Sequence, residues 1–440
     1  MPTNTCRIIL PALADKYSST MTTAVIIIFV LVYIGLILGR IPGLRIGRTG
    51  IALLGAVAML ITGILSINQA WQSIDASTMI LLFALMVISA SFEQSGCYTL
   101  ITSHITRTPV SPRTLLLIVI LVTAALSAVL ANDIVCLATT PILLRGITQR
   151  KLNPMPFLIA LACAANIGSA ATLIGNPQNI LIGEALGVSF PHYFLIAILP
   201  VTVSLILTWL IIVALTPANS WSLQTQLNLD AIQTSASTQA EEHIYPLNLF
   251  RAVLTSTILI VLVLLFLFSP WHKPALALVG AALLLFSRKR ATEESLNHID
   301  WQLLLLFIAL FIINAALAAT GSLPPLVADL SNLGLDPQSP PVLYVLTAVL
   351  SNLVSNVPAV ILILNIINDP AYGPLLALSS TLAGNFIIVG SIANIIVVTQ
   401  ADRLGFTINW KQHARIGIPV TLATLTVTAG WLYLLSILAT

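Results

Sequence analysis

The sequence predicts an all-α polytopic membrane protein made of two related units, the second inverted relative to the first. Three observations lead there. The chain of 440 residues is 58% hydrophobic and only 8% charged, where a soluble protein carries roughly a quarter charged residues. Apolar runs of about 18–20 residues recur along it, the length a helix needs to cross a hydrocarbon core of about 30 Å, and the short alternating segments of a β-barrel do not occur. Finally, two polar, helix-breaking passages in the first half have counterparts in the second.

The elements follow in order. Residues 1–21 form a mixed polar N-terminal tail. The apolar run after Met21 has spanning length and no small-residue cleavage site, so it reads as a retained span rather than a signal peptide, with Met1 or Met21 as the start. Single spans are expected at 22–39, 50–67, 77–93, 192–215, 253–269, 274–287, 302–319 and 415–438. The runs 154–190 and 374–400 read as broken helices. The runs 114–145 and 341–366 are interrupted by "LANDIV" and "LSNLVSNVP" and fall short of two full crossings plus a turn, so each reads as a re-entrant hairpin. The first repeat is then 22–215 and the second 251–440. Between them, 216–250 is rich in Ser, Thr, Gln and Asn and reads as a cytoplasmic linker with little fixed structure.

Charge fixes the orientation. Lys and Arg favour the cytoplasm. The first hairpin is flanked by Arg113 and by Arg145, Arg150 and Lys151, so both its mouths face inward. Arg40, Arg45 and Arg48, Arg107, Arg251, Arg288 to Arg290, Arg403, Lys411 and Arg415 then also fall inside; only Lys273, Arg7 and Lys16 fall outside. The second hairpin lacks basic flanks and opens outward. Each half makes an odd number of crossings, which inverts the second and places both termini outside, in the cytoplasmic (inner) membrane of the cell. The net charge of +3 is spent on this topology, and no basic cluster with interleaved aromatics points to nucleic acid. Cys6, Cys97, Cys136 and Cys163 have no metal-ligand spacing and read as small hydrophobes.

The repeat is visible in the residues. "TAALSAVLANDIVCLATTPILL" resembles "YVLTAVLSNLVSNVPAVILIL", pairing Asn132 with Asn352. "TLIGNPQNILIG" resembles "IIVGSIANIIVV", pairing Gly175 with Gly390, Asn176 with Ser391 and Asn179 with Asn394. Inverted repeats with interrupted helices are the architecture of secondary transporters.

In hydrocarbon every backbone amide needs a partner, so irregular backbone survives only where it is buried in protein or lines a cavity. Gly168, Gly175 and Pro177 interrupt the first broken helix; Gly384, Gly390 and Ser391 interrupt the second. Freed amides at a half-helix N-terminus attract anions, and freed carbonyls suit Na+. Asn132 and Asp133 are expected where the second arm of the first hairpin begins, and Ser351 and Asn352 likewise in the other, as N-caps with hard oxygen donors. The candidate site comprises Asn132, Asp133, Thr140, Asn166, Gly168, Ser169, Thr172, Gly175, Asn176, Asn179, Ser351, Asn352, Ser355, Asn356, Gly384, Asn385, Gly390, Ser391 and Asn394. Na+ is expected at Asn132, Asp133 and Asn352. Asp133 could pair with Na+ when ionised, carry a proton when neutral, or simply cap the hairpin; an ionisable group at the midplane is costly and functional by default. The asparagines could also serve as interhelical glue, and Thr139 and Thr140 as back-bonded helix residues. Glu184 is expected at the interface, and Glu93 solvated at an inner span end.

These motifs resemble the ion transporter superfamily, which includes di- and tricarboxylate symporters, citrate transporters, arsenite permeases and D-type sodium/proton antiporters. "ANIGSAATLIGNPQN" is similar to the family's broken-helix motif, and "ANDIVCLATTPI", "SNLVSNVPA" and "GSIANIIV" to its other marked segments. The resemblance implies that Asn132 and Asn352 bind cation and substrate, with Gly168, Gly175 and Asn179 as the matching broken-helix positions. It also implies a scaffold domain, which often dimerises, beside an elevator-type transport domain. Dicarboxylate symporters carry Ser-Asn-Thr at both tips; Ala131-Asn132-Asp133 and Ser351-Asn352-Leu353 depart from that and favour the permease branch. Asn176 and Gln178 stand where the family often has small residues or Pro, which implies an altered pocket.

A transporter of a small inorganic or organic anion coupled to Na+ or H+ is therefore expected, with a Na+/H+ antiporter exchanging ions at Asp133 as the alternative. No cofactor is expected beyond the coupling ion. No HExxH, paired intramembrane Asp or Ser/His constellation supports an enzyme, and no GxxxxGK[ST] supports an ATP-driven pump.

Overall fold

The computed structural model describes residues 19–38, 46–222, 245–286 and 295–439. The N-terminal tail, most of the linker, and the basic residues Arg7, Lys16, Arg40, Arg45 and Arg288 to Arg290 lie outside them. Among the described residues the secondary structure is helical, with one isolated bridge between Leu152 and Ser222.

The first half contains α1 (Ser19–Leu38), α2 (Arg48–Ile61), α3 (Ile67–Gln72), α4 (Ala76–Gln94), α5 (Cys97–Arg107), α6 (Pro112–Val129), α7 (Asn132–Gln149), α8 (Pro154–Ser169), α9 (Pro177–Leu186) and α10 (Phe190–Leu215). The second contains α11 (Leu249–Phe268), α12 (Lys273–Leu285), α13 (Trp301–Ala319), α14 (Leu323–Asn332), α15 (Pro340–Val354), α16 (Asn356–Ile363), α17 (Gly373–Ala383), α18 (Ile392–Arg403) and α19 (Trp410–Ala439). Seven of these are long and apolar enough to cross a membrane. The starts are written in the sequence. Ser66 and Gln69 form a capping box at α3, Asp75 caps α4 through the Thr78 amide, and Ser111 with Pro112 opens α6.

The two halves repeat one element order. α1, α2, α4, α5, the pair α6–α7, the broken pair α8–α9 and α10 correspond to α11, α12, α13, α14, α15–α16, α17–α18 and α19. Packing between the halves is reciprocal: α4 lies on α12 while α2 lies on α13, and α10 meets its counterpart α19. That exchange is what a two-fold relation between the halves would give.

Three expectations change. The short helices α3, α5 and α14 occupy stretches read as loops, because their polar faces hide an apolar stripe too brief to register as a span. The first hairpin extends to 112–149, and each arm has 18 residues, about 27 Å. Arm length therefore no longer argues against two full crossings there. In the second hairpin the arms have 15 and 8 residues, and the argument stands. Lastly, the second hairpin turns one helical turn later than expected. α15 runs through Ser351 and Asn352 to Val354, and the return arm begins at Asn356, with Ser355 alone at the corner. Asn352 thus ends the first arm whereas Asn132 starts the second, so the two are not equivalent. The likeness of "SAVLAND" to "TAVLSNL" points to a register the backbone does not take; Pro358, tolerated in a helix's first turn, marks the true start.

Candidate functional site

The site grows from the two breaks. α8 ends at Ser169 and α9 starts at Pro177, with Asn176 as N-cap accepting from the Asn179 amide (2.9 Å). α17 ends at Ala383 and α18 starts at Ile392, with Ser391 as N-cap accepting from the Ala393 amide (3.2 Å). An asparagine three residues into each second half-helix closes its break. Asn179 Nδ2 donates to the carbonyls of Ser169 (3.4 Å) and Thr172 (3.0 Å); Asn394 Nδ2 donates to those of Gly384 (2.8 Å) and Ile387 (3.1 Å). Every atom in one set maps onto the other with an offset of 215 residues.

The same symmetry governs bonds between the breaks. Asn176 Nδ2 donates to Thr381 Oγ1 (3.3 Å), and Ser391 Oγ donates to Asn166 Oδ1 (2.8 Å). Thr381 Oγ1 donates to Asn179 Oδ1 (3.2 Å), and Asn166 Nδ2 donates to Asn394 Oδ1 (3.2 Å) and Asn385 Oδ1 (2.8 Å). Asn166, Ser169, Asn176, Asn179, Thr381, Asn385, Ser391 and Asn394 are all buried. Buried amide networks of this kind hold one geometry only while every member is paired.

The hairpins attach to this centre by close backbone approach. Gly168 lies inside the last turn of α8 and does not break it; a Cβ there would come within 2.3 Å of Ala124 Cα on α6. A Cβ on Gly175 would meet the Ser169 and Ser127 carbonyls, and one on Gly390 would lie 2.7 Å from Asn352 Oδ1. A Cβ on Gly384 would lie 3.2 Å from Ser391 Cβ. The expected side-chain caps at the tips are not formed. Ala131 is the N-cap of α7, its amide donating to Ser89 Oγ on α4 (3.0 Å), and the Asn132 amide donates to the Gly175 carbonyl (3.4 Å). Ser355 likewise makes no cap bond and holds φ 77°, ψ 159°, a region nearly exclusive to glycine and costly elsewhere. Asn132 Nδ2 reaches Asn166 Oδ1 (3.5 Å). Asn352 Nδ2 donates to the Ala348 and Ala383 carbonyls, both at 3.0 Å. With its amide oriented by its partners, Asn356 donates to the Ser380 and Gly390 carbonyls and accepts from Gln178 Nε2 (3.1 Å). Two tips and two breaks therefore meet in one network.

The side chains of other expected members fall outside it. Thr140 is a back-bonded helix residue, its Oγ1 donating to the Cys136 carbonyl (2.6 Å), and Thr172 Oγ1 donates to the Ala128 carbonyl. Ser351 is buried with its Oγ unpartnered. Asp133 sits half-buried in the first turn of α7. Asn132 and Asn352 touch different breaks, so a cation shared with Asp133 is not prefigured by contacts. Glu93 is 3% exposed, not solvated, and its Oε1 has no partner. Sequence reasoning missed Thr381, Gln178 and Tyr193. Thr381 lay within reach, since the 215-residue offset applied to Asn166 names it. Tyr193, whose hydroxyl donates to the Ala170 carbonyl (2.6 Å) and accepts from Asn179 Nδ2 (3.3 Å), gave no such signal.

Chemically, the centre offers amides, hydroxyls and carbonyls. Its hydrogen bonds involve no charged side chain, and the described residues contain no cluster of His, Cys, Asp and Glu able to hold a metal. The N-termini of α7, α9, α16 and α18 supply positive potential without a cationic residue. Three polar atoms in this saturated setting are buried and unpartnered: Asn132 Oδ1, Asn352 Oδ1 and Asn385 Nδ2. Buried polar groups are normally paired, so open acceptors and an open donor mark where a guest would bond.

Comparison with known proteins places these features in context. A family model described as "Citrate transporter" matches residues 29–375. The silicon efflux transporter LSI3 of Oryza sativa subsp. japonica is 31% identical, covering 87% of this chain and 91% of its own. The putative transporter arsB of Dictyostelium discoideum is 23% identical, covering 86% of each. Among solved structures, the YdaH transporter of Alcanivorax borkumensis superposes with a TM-score of 0.53 at 15% identity, covering 95% of this chain and 98% of that one; at that identity the likeness is one of fold.

Proposed function

The chain belongs to the citrate transporter family, a multi-pass membrane transporter and not an enzyme, and from that premise we propose that it moves a small inorganic or organic anion across the cytoplasmic membrane, coupled to Na+ or H+. The observation that carries the reading is the trio of unpartnered buried atoms, Asn132 Oδ1, Asn352 Oδ1 and Asn385 Nδ2, where hairpins and breaks converge. Oxygens with no proton to give suit a cation or a hydroxyl donor; an amide N–H suits an anion. A centre without Lys or Arg among its hydrogen bonds weighs toward a weak oxyacid of low charge over a tricarboxylate, since isolated charge is expensive to bury. The silicon named for one relative fits that chemistry. Tips on re-entrant hairpins, an elevator motion against a scaffold, a homodimer, and both termini outside complete the proposal.

The test is transport by the purified chain in proteoliposomes, offered citrate, a dicarboxylate, sulfate, phosphate, arsenite and silicate under imposed Na+ or pH gradients. Accumulation of one of these against its own gradient is the expected result; failure of all six sinks the anion reading. Asp133 favours a second reading. It is partly exposed at the mouth of α7 with no side-chain hydrogen bond among the described residues, as an ion-exchange carboxylate would be. Na+/H+ exchange without any added anion, abolished by Asp133→Asn, would favour the antiporter.

A further inference from the structure

Each half ends in a long helix whose buried face lies on that half's break. In α10 the face runs Tyr193, Ala197, Val201, Ser204, Thr208; in α19 it runs His413, Gly417, Thr421, Thr424, Thr428. Tyr193 and His413 are both the fourth residue of their helix. Tyr193 seals the first break with its two hydrogen bonds, to Ala170 and from Asn179. The residue matching Ala170 in the second break is Asn385, by the same 215-residue offset that relates the rest of the site.

His413 occupies the tyrosine's place but not its role. It is 1% exposed, and neither ring nitrogen has a partner. A neutral imidazole carries one N–H and one acceptor, so both are buried unpaired. The ring and the break meet across Gly417, where a Cβ would lie 2.4 Å from the Asn385 carbonyl oxygen and 3.1 Å from His413 Nδ1. Asn385 Nδ2 is itself unpartnered. The packed elements bring no compensating charge. α17 and the turn at 388–390 hold no titratable side chain, α8 holds only the buried thiol of Cys163, and α10 holds His192 and Tyr193 at its opposite end. On α19 itself, Lys411 and Arg415 are exposed. Nearby, at the end of α18, Asp402 accepts from Thr407 and Arg403 is exposed. Protonating His413 in this seat would bury an unpaired cation.

We propose that His413 is a proton-binding site on the second break, seated while neutral and expelled when protonated, so that pH on the side where α19 begins regulates transport. The corresponding group on the other break, Tyr193, stays neutral at any physiological pH, which makes the control one-sided. The inference rests on the transport reading for its consequence, but proton binding can be read without it.

The experiment uses the full chain in liposomes with downhill flux of arsenite and of silicate, Na+ equal on both sides, and pH varied on one side at a time. Between about pH 8 and about pH 4, a range carried below the free histidine value because this seat opposes protonation, the wild-type rate should change by about tenfold for the α19-start side and little for the other. His413→Gln and His413→Tyr should both flatten that profile, the latter restoring a tyrosine-type seal and reporting that the fold survives. A wild-type profile in both variants overturns the proposal. If the wild type moves neither probe, what has failed is the choice of a weak oxyacid as substrate. The site is then judged by the imidazole ¹⁵N resonance absent from His413→Gln, followed in nanodiscs over the same range. A resonance that titrates supports the site; one that stays neutral overturns it.

Discussion

The two breaks are built to one plan and finished differently. The first is sealed by its own half: Asn176 caps α9, Asn179 ties the carbonyls of Ser169 and Thr172, and Tyr193 bonds both sides of the gap. Each leaves the oxygen of its hairpin asparagine open, Asn132 Oδ1 at the first and Asn352 Oδ1 at the second; the second repeats the cap and the tie through Ser391 and Asn394, yet also leaves Asn385 Nδ2 and both nitrogens of His413 open. The matched motifs supply the frame, and differences at a few positions decide how many bonds each break has to offer. A transporter needs a firmer wall and a looser one, because a pocket with two loose walls would not hold a geometry and one with two sealed walls would not change it.

The strongest way to break the comparison is to push the elements apart. Gly168→Ala and Gly175→Ala place a Cβ within 2.3 and 2.4 Å of backbone atoms; each should cost about 1–3 kcal/mol or more by overpacking and abolish transport, while Gly430→Ala, with nothing near it, should behave as wild type in thermal denaturation. Next is Asn166→Ala, which strips partners from Asn132, Asn385, Asn394 and Ser391 at once. At about 1–3 kcal/mol for a buried group left unpaired, it should lower the midpoint of denaturant unfolding clearly and depress transport at least tenfold. A smaller and more telling pair contrasts the seals. Tyr193→Phe should cost about 1 kcal/mol, whereas His413→Leu loses no hydrogen bond and should stay within about 1 kcal/mol of wild type in either direction; equal losses would erase the distinction. The smallest effect is a gain: Ser355→Gly removes a strained corner and should stabilise by roughly 1 kcal/mol, seen as a modest rise in melting temperature.

Much of this was legible in the residues. Helix length and composition located most single spans to within about five positions, although the one expected at 50–67 is a 14-residue helix that ends at Ile61, and the paired motifs around Gly175 and Gly390 located both breaks, since backbone that leaves a helix in lipid must advertise itself through Gly, Pro and Asn. Asn166 and Asn179 stood out because amides in a hydrophobic run need a reason. Other parts were hidden for physical reasons. The turn at Ser355 depends on one residue's backbone conformation, which composition does not encode, so Asn352 was placed on the wrong arm. Gly168 looked like a breaker although its use is contact with Ala124 from inside a helix. Glu93 stood at a helix end, where solvent is the ordinary expectation, but α5 turns back over it. Tyr193 and His413 become meaningful only when α10 and α19 are laid against the breaks.

The exchange of partners between halves, α2 on α13 and α4 on α12, has a consequence for biosynthesis. The phenol of Tyr33 on α1 finds its acceptor at Pro358 and its donor at Asn314, both synthesised hundreds of residues later. While the ribosome is still extending the chain, the leading half therefore waits in the bilayer with polar groups and small-residue grooves uncovered. The hydrogen bonds of Tyr33 can close only once the second half has also entered the bilayer.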